Sequence, residues 1–407
     1  MVPDPSRSLS ALSETVAALR KDGRGSILLA LAGGWFLSMG VRMIYPVLLP
    51  HLREAYGLDL TTSGLLLTVL FLAYAIGQLP GGMLADRIGE RTVLTLSTVV
   101  AAITLGLVIT ANSPAILFAA TALFGFGTAL YAVARYTILP KLYPERIGAA
   151  NGVTAASQDA GQSVLPPLAG VIASLFLWQL GFGFVIPLFL LMGAVLWFTV
   201  PVQEPAANGE DNSGPLSERI RDLLAVLGQR AVIYPTAVLV LGLCVWQAFT
   251  SFYPTYLIEV KDLSTTVSST LFGLFFALGI LIKPLAGGAY DRIGIRRSLV
   301  IVASGPAIAL LALPFIEGFW PLVGITALVS TLLGFATVTE PYLLETLPEE
   351  IRGTGFGILR TIAFMVAALS PVAFGAAADN DFFDQAFMAL AVLAGVMLLL
   401  AARIPEQ

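Results

Sequence analysis

Apolar residues run along this chain in stretches of about 20, broken by short polar segments that hold most of its charges. A helix rises 1.5 Å per residue and bilayer hydrocarbon is about 30 Å thick, so a run of about 20 apolar residues is long enough to cross. Such runs can be read over 27–49, 63–84, 93–111, 114–138, 149–176 and 180–201, and a second six over 231–258, 266–289, 298–316, 320–343, 353–377 and 384–403. The pattern predicts an all-α membrane protein with twelve transmembrane helices in two six-helix bundles. The expected divisions are an N-terminal segment 1–25, a first bundle 26–201, a linker 202–230 and a second bundle 231–403. An even number of crossings places both termini on one side.

Composition points to the same solvent. Hydrophobic residues make up 57% of the chain and charged residues 12%, with mean hydropathy +0.87, whereas a soluble domain carries about a quarter charged residues. The distribution of charge says more than the net value of −4. Arg24, Arg87, Arg91, Lys141, Arg146, Arg230, Arg292, Arg296, Arg297, Arg352 and Arg403 fall on the terminus side, with Arg53 and Lys261 opposite. The positive-inside rule makes the terminus side cytoplasmic. Leu9, Leu12, Val16 and Leu19 in segment 1–25, and Leu216, Ile220, Leu223 and Leu227 in the linker, lie at helical spacing and read as amphipathic surface helices.

The halves are related copies. Gly82-Met83-Leu84-Ala85-Asp86-Arg87-Ile88-Gly89-Glu90-Arg91 returns 205 positions later as Gly287-Gly288-Ala289-Tyr290-Asp291-Arg292-Ile293-Gly294-Ile295-Arg296, and at the same offset Gly148 matches Gly353 and Pro166 matches Pro371. This duplicated loop resembles the G-x-L-x-D-R-x-G-x-R/K loop between the second and third helices of the major facilitator superfamily of secondary transporters. The resemblance implies rocker-switch alternating access. It also implies a conformational latch in which Asp86 and Asp291 accept hydrogen bonds from a helix start of the opposite half, near Gly353 and Gly148, when the protein faces outward. Gly82, Gly89, Gly287 and Gly294 would supply the turns of that latch, and Arg87, Arg91, Arg292 and Arg296 could pair with Glu145, Glu349 and Glu350. The family's fifth-helix signature of exporters is matched only in part at 161–170, where Leu165 and Ala169 replace glycines. Thr121 stands where the proton-antiport pattern has arginine.

Charges at membrane depth are costly and need a reason. Arg42 lies inside the first run with Trp35, Ser38 and Tyr45 at helical spacing, and its repeat partner is Gln247. Asp159 lies in the fifth run and Arg360 in the eleventh. Arg135 and Glu340 are repeat equivalents of opposite sign in the fourth and tenth runs, which the resemblance places around a central cavity. Arg42, Tyr45, Gln247 and Arg360 are candidate substrate-binding residues, and Asp159, Arg135 and Glu340 candidate coupling or gating residues. A purely structural ion pair is the rival reading for Arg42, Asp159 and Arg360. Lys283, near a helix end, reads as an interfacial anchor.

One histidine and one cysteine offer no zinc cluster or disulfide, and no nucleotide-binding loop is present. No cofactor and no metal are expected. The expected partners are a small solute, with or without a coupled proton or other ion, and the lipid bilayer, not nucleic acid. The expected working form is a monomer in the cell membrane. A small organic anion, an amphipathic drug-like molecule driven out by protons, and a receptor or scaffold that moves nothing remain as alternatives.

Overall fold

The computed structural model describes residues 24–202, 229–349, 352–379 and 382–405. The amphipathic segments read within 1–25 and 202–230 fall mostly outside these residues. Among the described residues, ten helices are long and apolar enough to cross a membrane. One of them, Thr265–Phe315, runs 51 residues and is interrupted at Gly294, so it makes two crossings. Ile147–Leu175 adds the twelfth at 29 residues. Its lower hydropathy has a cause: Asn151, Thr154, Gln158, Asp159 and Gln162 lie along it.

The crossings are α1 (Arg24–Tyr56), α2 (Leu60–Ile88), α3 (Glu90–Ile109), α4 (Pro114–Leu142), α5 (Ile147–Leu175) and α6 (Trp178–Thr199), then α7 (Arg230–Glu259), α8 (265–293), α9 (295–315), α10 (Phe319–Thr346), α11 (352–378) and α12 (Phe383–Ala401). The α2–α3 and α8–α9 connections turn on single glycines, Gly89 at φ 79° and Gly294 at φ 76°. Both lie in the region where a side chain is strained, which is why the duplicated loops keep glycine there.

The halves meet through α2 against α11 and α5 against α8. A Cβ on Gly64 would lie 2.3 Å from the Pro371 carbonyl oxygen, and one on Gly375 would lie 2.2 Å from that of Leu60, so α2 and α11 touch backbone to backbone. The two interfaces differ in a hydrogen bond that only the first can make. Val372 N–H donates to the Thr68 hydroxyl at 3.2 Å. At the repeat-equivalent place Pro167 has no N–H to donate, and Gly273 faces it with no side chain.

The face distant from the glycine loops is fastened across the halves. Asp379 at the end of α11 accepts from Leu60 N and Thr61 N at 3.0 Å each, and Arg53 pairs with Glu259. At the repeat-equivalent positions Ser174 and Thr266 share a hydroxyl hydrogen bond at 3.1 Å. On the loop face the halves stand apart: a Cβ on Gly148, Gly152 or Gly357 would meet nothing within 4 Å. The molecule is closed on one face and open on the other.

Candidate functional site

Between the halves lies a cavity of about 890 Å³ that opens toward the loop face. That size suits a small solute. Part of its wall is aromatic and apolar, with Trp35, Phe71, Trp246, Phe276, Phe335 and Phe364, and part is polar, with Gln78, Gln158, Gln162 and Gln247 beside the charged Arg42, Lys283, Glu340 and Arg360. The helix breaks position them. α1 is interrupted at Met43, directly after Arg42, and α10 passes through a tightened turn at Ser330–Gly334 before Phe335–Thr346 carries Glu340 to the wall.

Arg42 is buried in that wall with 6% exposure, its guanidinium carbon 3.5 Å from the centre of the Tyr74 ring. Nε and Nη2 have no hydrogen-bond partner, and no carboxylate pairs with it among the described residues. The other cavity cations are matched. Lys283 Nζ donates to Asp159 Oδ1 at 2.5 Å, joining α8 to α5 across the two halves. Arg360 Nε lies 3.2 Å from Glu340 Oε1, a charge contact within the second half. Glu345 is exposed at the mouth and accepts from the Tyr290 hydroxyl at 3.2 Å.

Several placements expected from the periodicity change here for physical reasons. Tyr45 does not line the cavity; it is fully buried behind it, its ring centre 5.7 Å from Phe124 and 4.8 Å from Phe182, because the break after Arg42 turns it into the aromatic core. Arg135 does not meet Glu340. Its guanidinium lies over Trp35 and Tyr136, at 4.4 and 4.0 Å, and Nη1 donates to the Thr154 hydroxyl at 2.6 Å. Glu340 is taken instead by Arg360, one helix away. Lys283 is not an interfacial anchor, since it faces inward and reaches Asp159. Gln247 and Arg360 do line the cavity, and Trp35 Nε1 donates to the Gln158 side-chain oxygen at 3.1 Å beside them.

In the duplicated loops Asp86, Arg87, Asp291 and Arg292 are exposed. Arg91 stacks on Trp197 with its guanidinium carbon 4.1 Å from the ring centre, rather than reaching a glutamate. Gly82 and Gly287 sit where an added Cβ would make ordinary contact, 3.7 Å from Val133 and 3.6 Å from Thr337. Three contributors carry no clear signal in the sequence: Tyr74, Asp379 and the Glu90–Lys141 pair. Tyr74 has no charge to mark it in an apolar run. Asp379 is recoverable by comparing repeats, since its counterpart Ser174 is neutral.

Residues 30–342 match the family model described as Major Facilitator Superfamily. The chain is 26% identical over 298 residues to a hexuronate transporter of Bacillus subtilis, an alignment covering 71% of this chain and 69% of that one. It is 24% identical over 370 residues to a probable galactarate/D-glucarate transporter of the same organism, covering 78% of each. It is 30% identical over 281 residues to a probable nitrate/nitrite antiporter of Thermus thermophilus, covering 65% of this chain and 62% of that one. Among solved structures, an inward-facing, unoccupied bacterial homologue of the human lysosomal transporter Spinster superposes with TM-score 0.76 at 18% identity, covering 94% of this chain and 98% of that one. A D-xylose–proton symporter superposes with TM-score 0.72 at 17% identity, covering 92% and 96%. At such identities the structural likeness is one of fold, and it agrees with the duplicated loops and the paired bundles. The match over most of its length places this chain in the Major Facilitator Superfamily.

Proposed function

We propose that this protein is a secondary transporter that carries a small organic anion through the central cavity by alternating access. One observation carries the choice of anion: among the described residues Arg42 is the cavity cation without a carboxylate, and two of its nitrogens are buried and unpartnered. An unmatched guanidinium at membrane depth is costly, and a carboxylate accepting two parallel hydrogen bonds from it would remove that cost. Tyr74 holds the guanidinium plane from one side, and Gln247, whose Oε1 is likewise buried without a partner, offers hydrogen bonds to a hydroxylated solute. Relatives named for hexuronate and for galactarate/D-glucarate support hydroxylated acids as the first solutes to try.

The excess of Lys and Arg on the loop face makes that face cytoplasmic and puts both termini there. The conformation seen is then inward-open, with the outer face closed by Asp379, Ser174 and the Arg53–Glu259 pair. The protein works as a monomer in this reading, since one chain encloses the whole cavity. The aromatic wall favours a second reading, export of amphipathic drug-like compounds.

The test is ligand-dependent thermal stabilisation of the purified protein by D-glucuronate, by D-xylose as a neutral sugar and by a hydrophobic cation. Binding at 100 times Kd stabilises by about 2.7 kcal/mol. Stabilisation by glucuronate alone, abolished by Arg42→Gln and weakened by Arg42→Lys, is expected, because lysine cannot reproduce the two-pronged contact. Stabilisation by the hydrophobic cation, unaffected by either variant, would replace this reading with the export one.

A further inference from the structure

The Asp159–Lys283 pair is not required by the packing of the halves. Moving each residue by the 205-residue repeat gives Phe364 and Gln78, which face the same cavity from the pseudo-symmetric α11–α2 interface with no charge between them. The first interface therefore carries an ion pair that its twin does without. Replacing a buried pair by uncharged residues is often neutral or stabilising, so stability alone does not account for it. Its place is informative: Lys283 lines the cavity that contains Arg42, and Asp159, 5% exposed, closes it off from behind.

Charge accounting gives the pair a use. With Asp159 on Lys283 and Glu340 on Arg360, Arg42 is the cavity-lining cation left without a carboxylate among the described residues, while Arg135 lies against Trp35 and Tyr136 outside the lining. One carboxylate on Arg42 neutralises that cation. A solute with two carboxylates leaves an excess negative charge unless a second cation is released, and Lys283 is released if a proton replaces it on Asp159. We infer that Lys283 is a second anion-binding residue, freed when Asp159 takes up one proton, so that a dicarboxylate enters the cavity with a proton and a monocarboxylate without one. This rests on the reading above that the cavity takes an organic anion.

The balance is simple. The proton comes from water and is held by an Asp159 carboxylate oxygen, the Lys283–Asp159 hydrogen bond is broken, and Lys283 donates to the second carboxylate instead. The charged groups brought to this depth by the helices packed on α5 are all cations: Lys283 from α8, Arg42 from α1 and Arg135 from α4, alongside neutral Tyr45, Tyr131 and Tyr136, while α6 brings no ionisable side chain. The second carboxylate of an arriving dicarboxylate competes with Asp159 for Lys283, and the proton on Asp159 replaces the hydrogen bond that Lys283 gives up.

The experiment compares D-glucuronate and D-glucarate, six-carbon acids with one and two carboxylates, by calorimetric titration of the purified protein in two buffers of different ionisation enthalpy. The buffer dependence reads protons taken up on binding. Expected are about one proton per glucarate and about none per glucuronate, with the glucarate Kd weakening by up to about tenfold per pH unit as pH rises. Asp159→Asn should bind glucarate with no proton uptake and no such slope. Glucarate bound without proton uptake by the unaltered protein overturns the inference and leaves the anion reading standing. Binding of neither acid overturns both.

Discussion

Replacing Asp379 by alanine removes two acceptors that one half lends to a helix start of the other. The first four amides of α2 are all satisfied: Leu60 and Thr61 donate to the two Asp379 oxygens at 3.0 Å each, Thr62 to the Asp59 side chain at 2.6 Å, and Ser63 to the Asp59 carbonyl at 3.0 Å. Asp59 travels with α2, so its cap persists whichever way the protein faces. Asp379 belongs to the other half and caps α2 only while this face is shut. Losing a capping side chain costs about 0.5–2 kcal/mol, and a carboxylate at a helix start adds about 0.3–1 kcal/mol through the helix dipole. Water reaches this half-buried site and restores part of both, which leaves about 1–1.5 kcal/mol acting on one conformation alone. Asp379→Ala should therefore shift the equilibrium about five- to thirteenfold toward the state open on this face. Asn112 and Glu317, exposed and repeat-equivalent on this face, are suitable spin-label sites once Cys244 is replaced by serine. Pulsed electron resonance between them should show the longer-distance population grow. An unchanged distribution in Asp379→Ala would refute the reasoning, as would an equal shift in Asp59→Ala, which should lower stability without moving the equilibrium.

The inner latch should respond with the opposite sign: Asp86→Asn, weakening an acceptor proposed to act only when the protein faces outward, is expected to shrink the outward population in the same measurement, and no change would remove the latch assignment. The charge swap Glu340→Arg with Arg360→Glu should recover part of the solute binding lost in either single reversal, whereas swapping Arg135 with Glu340 should recover none, because Glu340 meets Arg360 and Arg135 meets Thr154. Hydrogen bonds from the Thr62 amide and then its hydroxyl hold the Asp59 carboxyl below its ordinary value. A depressed carboxylate contributes stability above its unfolded pKa and loses it as pH falls through the folded one, so Asp59→Asn should flatten the drop in Tm below about pH 4 relative to the parent. Identical acid limbs for the two proteins would contradict this.

The twelve crossings and the doubling of the chain are written in the sequence because each depends on local physics. A run of about 20 apolar residues has one stable solution in a bilayer, a helix with its backbone bonds satisfied internally, and a loop requiring positive φ shows as glycine at 89 and again at 294. That Arg42, Asp159, Glu340 and Arg360 sit at membrane depth is equally legible, since few side chains there are charged. Which charge meets which is not. Arg135 and Glu340 are symmetry partners in sequence, yet the two halves are rocked open on the loop face, so Glu340 turns to its neighbour Arg360 and Arg135 settles on Trp35 and Tyr136. Lys283 reads as an anchor because distance from a helix end counts residues and not the inward side of α8. Tyr45 keeps the spacing of a cavity residue, but the helix break at Met43 re-aims it into the core. Periodicity along one helix sets what a residue can face; the packing of the other eleven decides what is there to meet it.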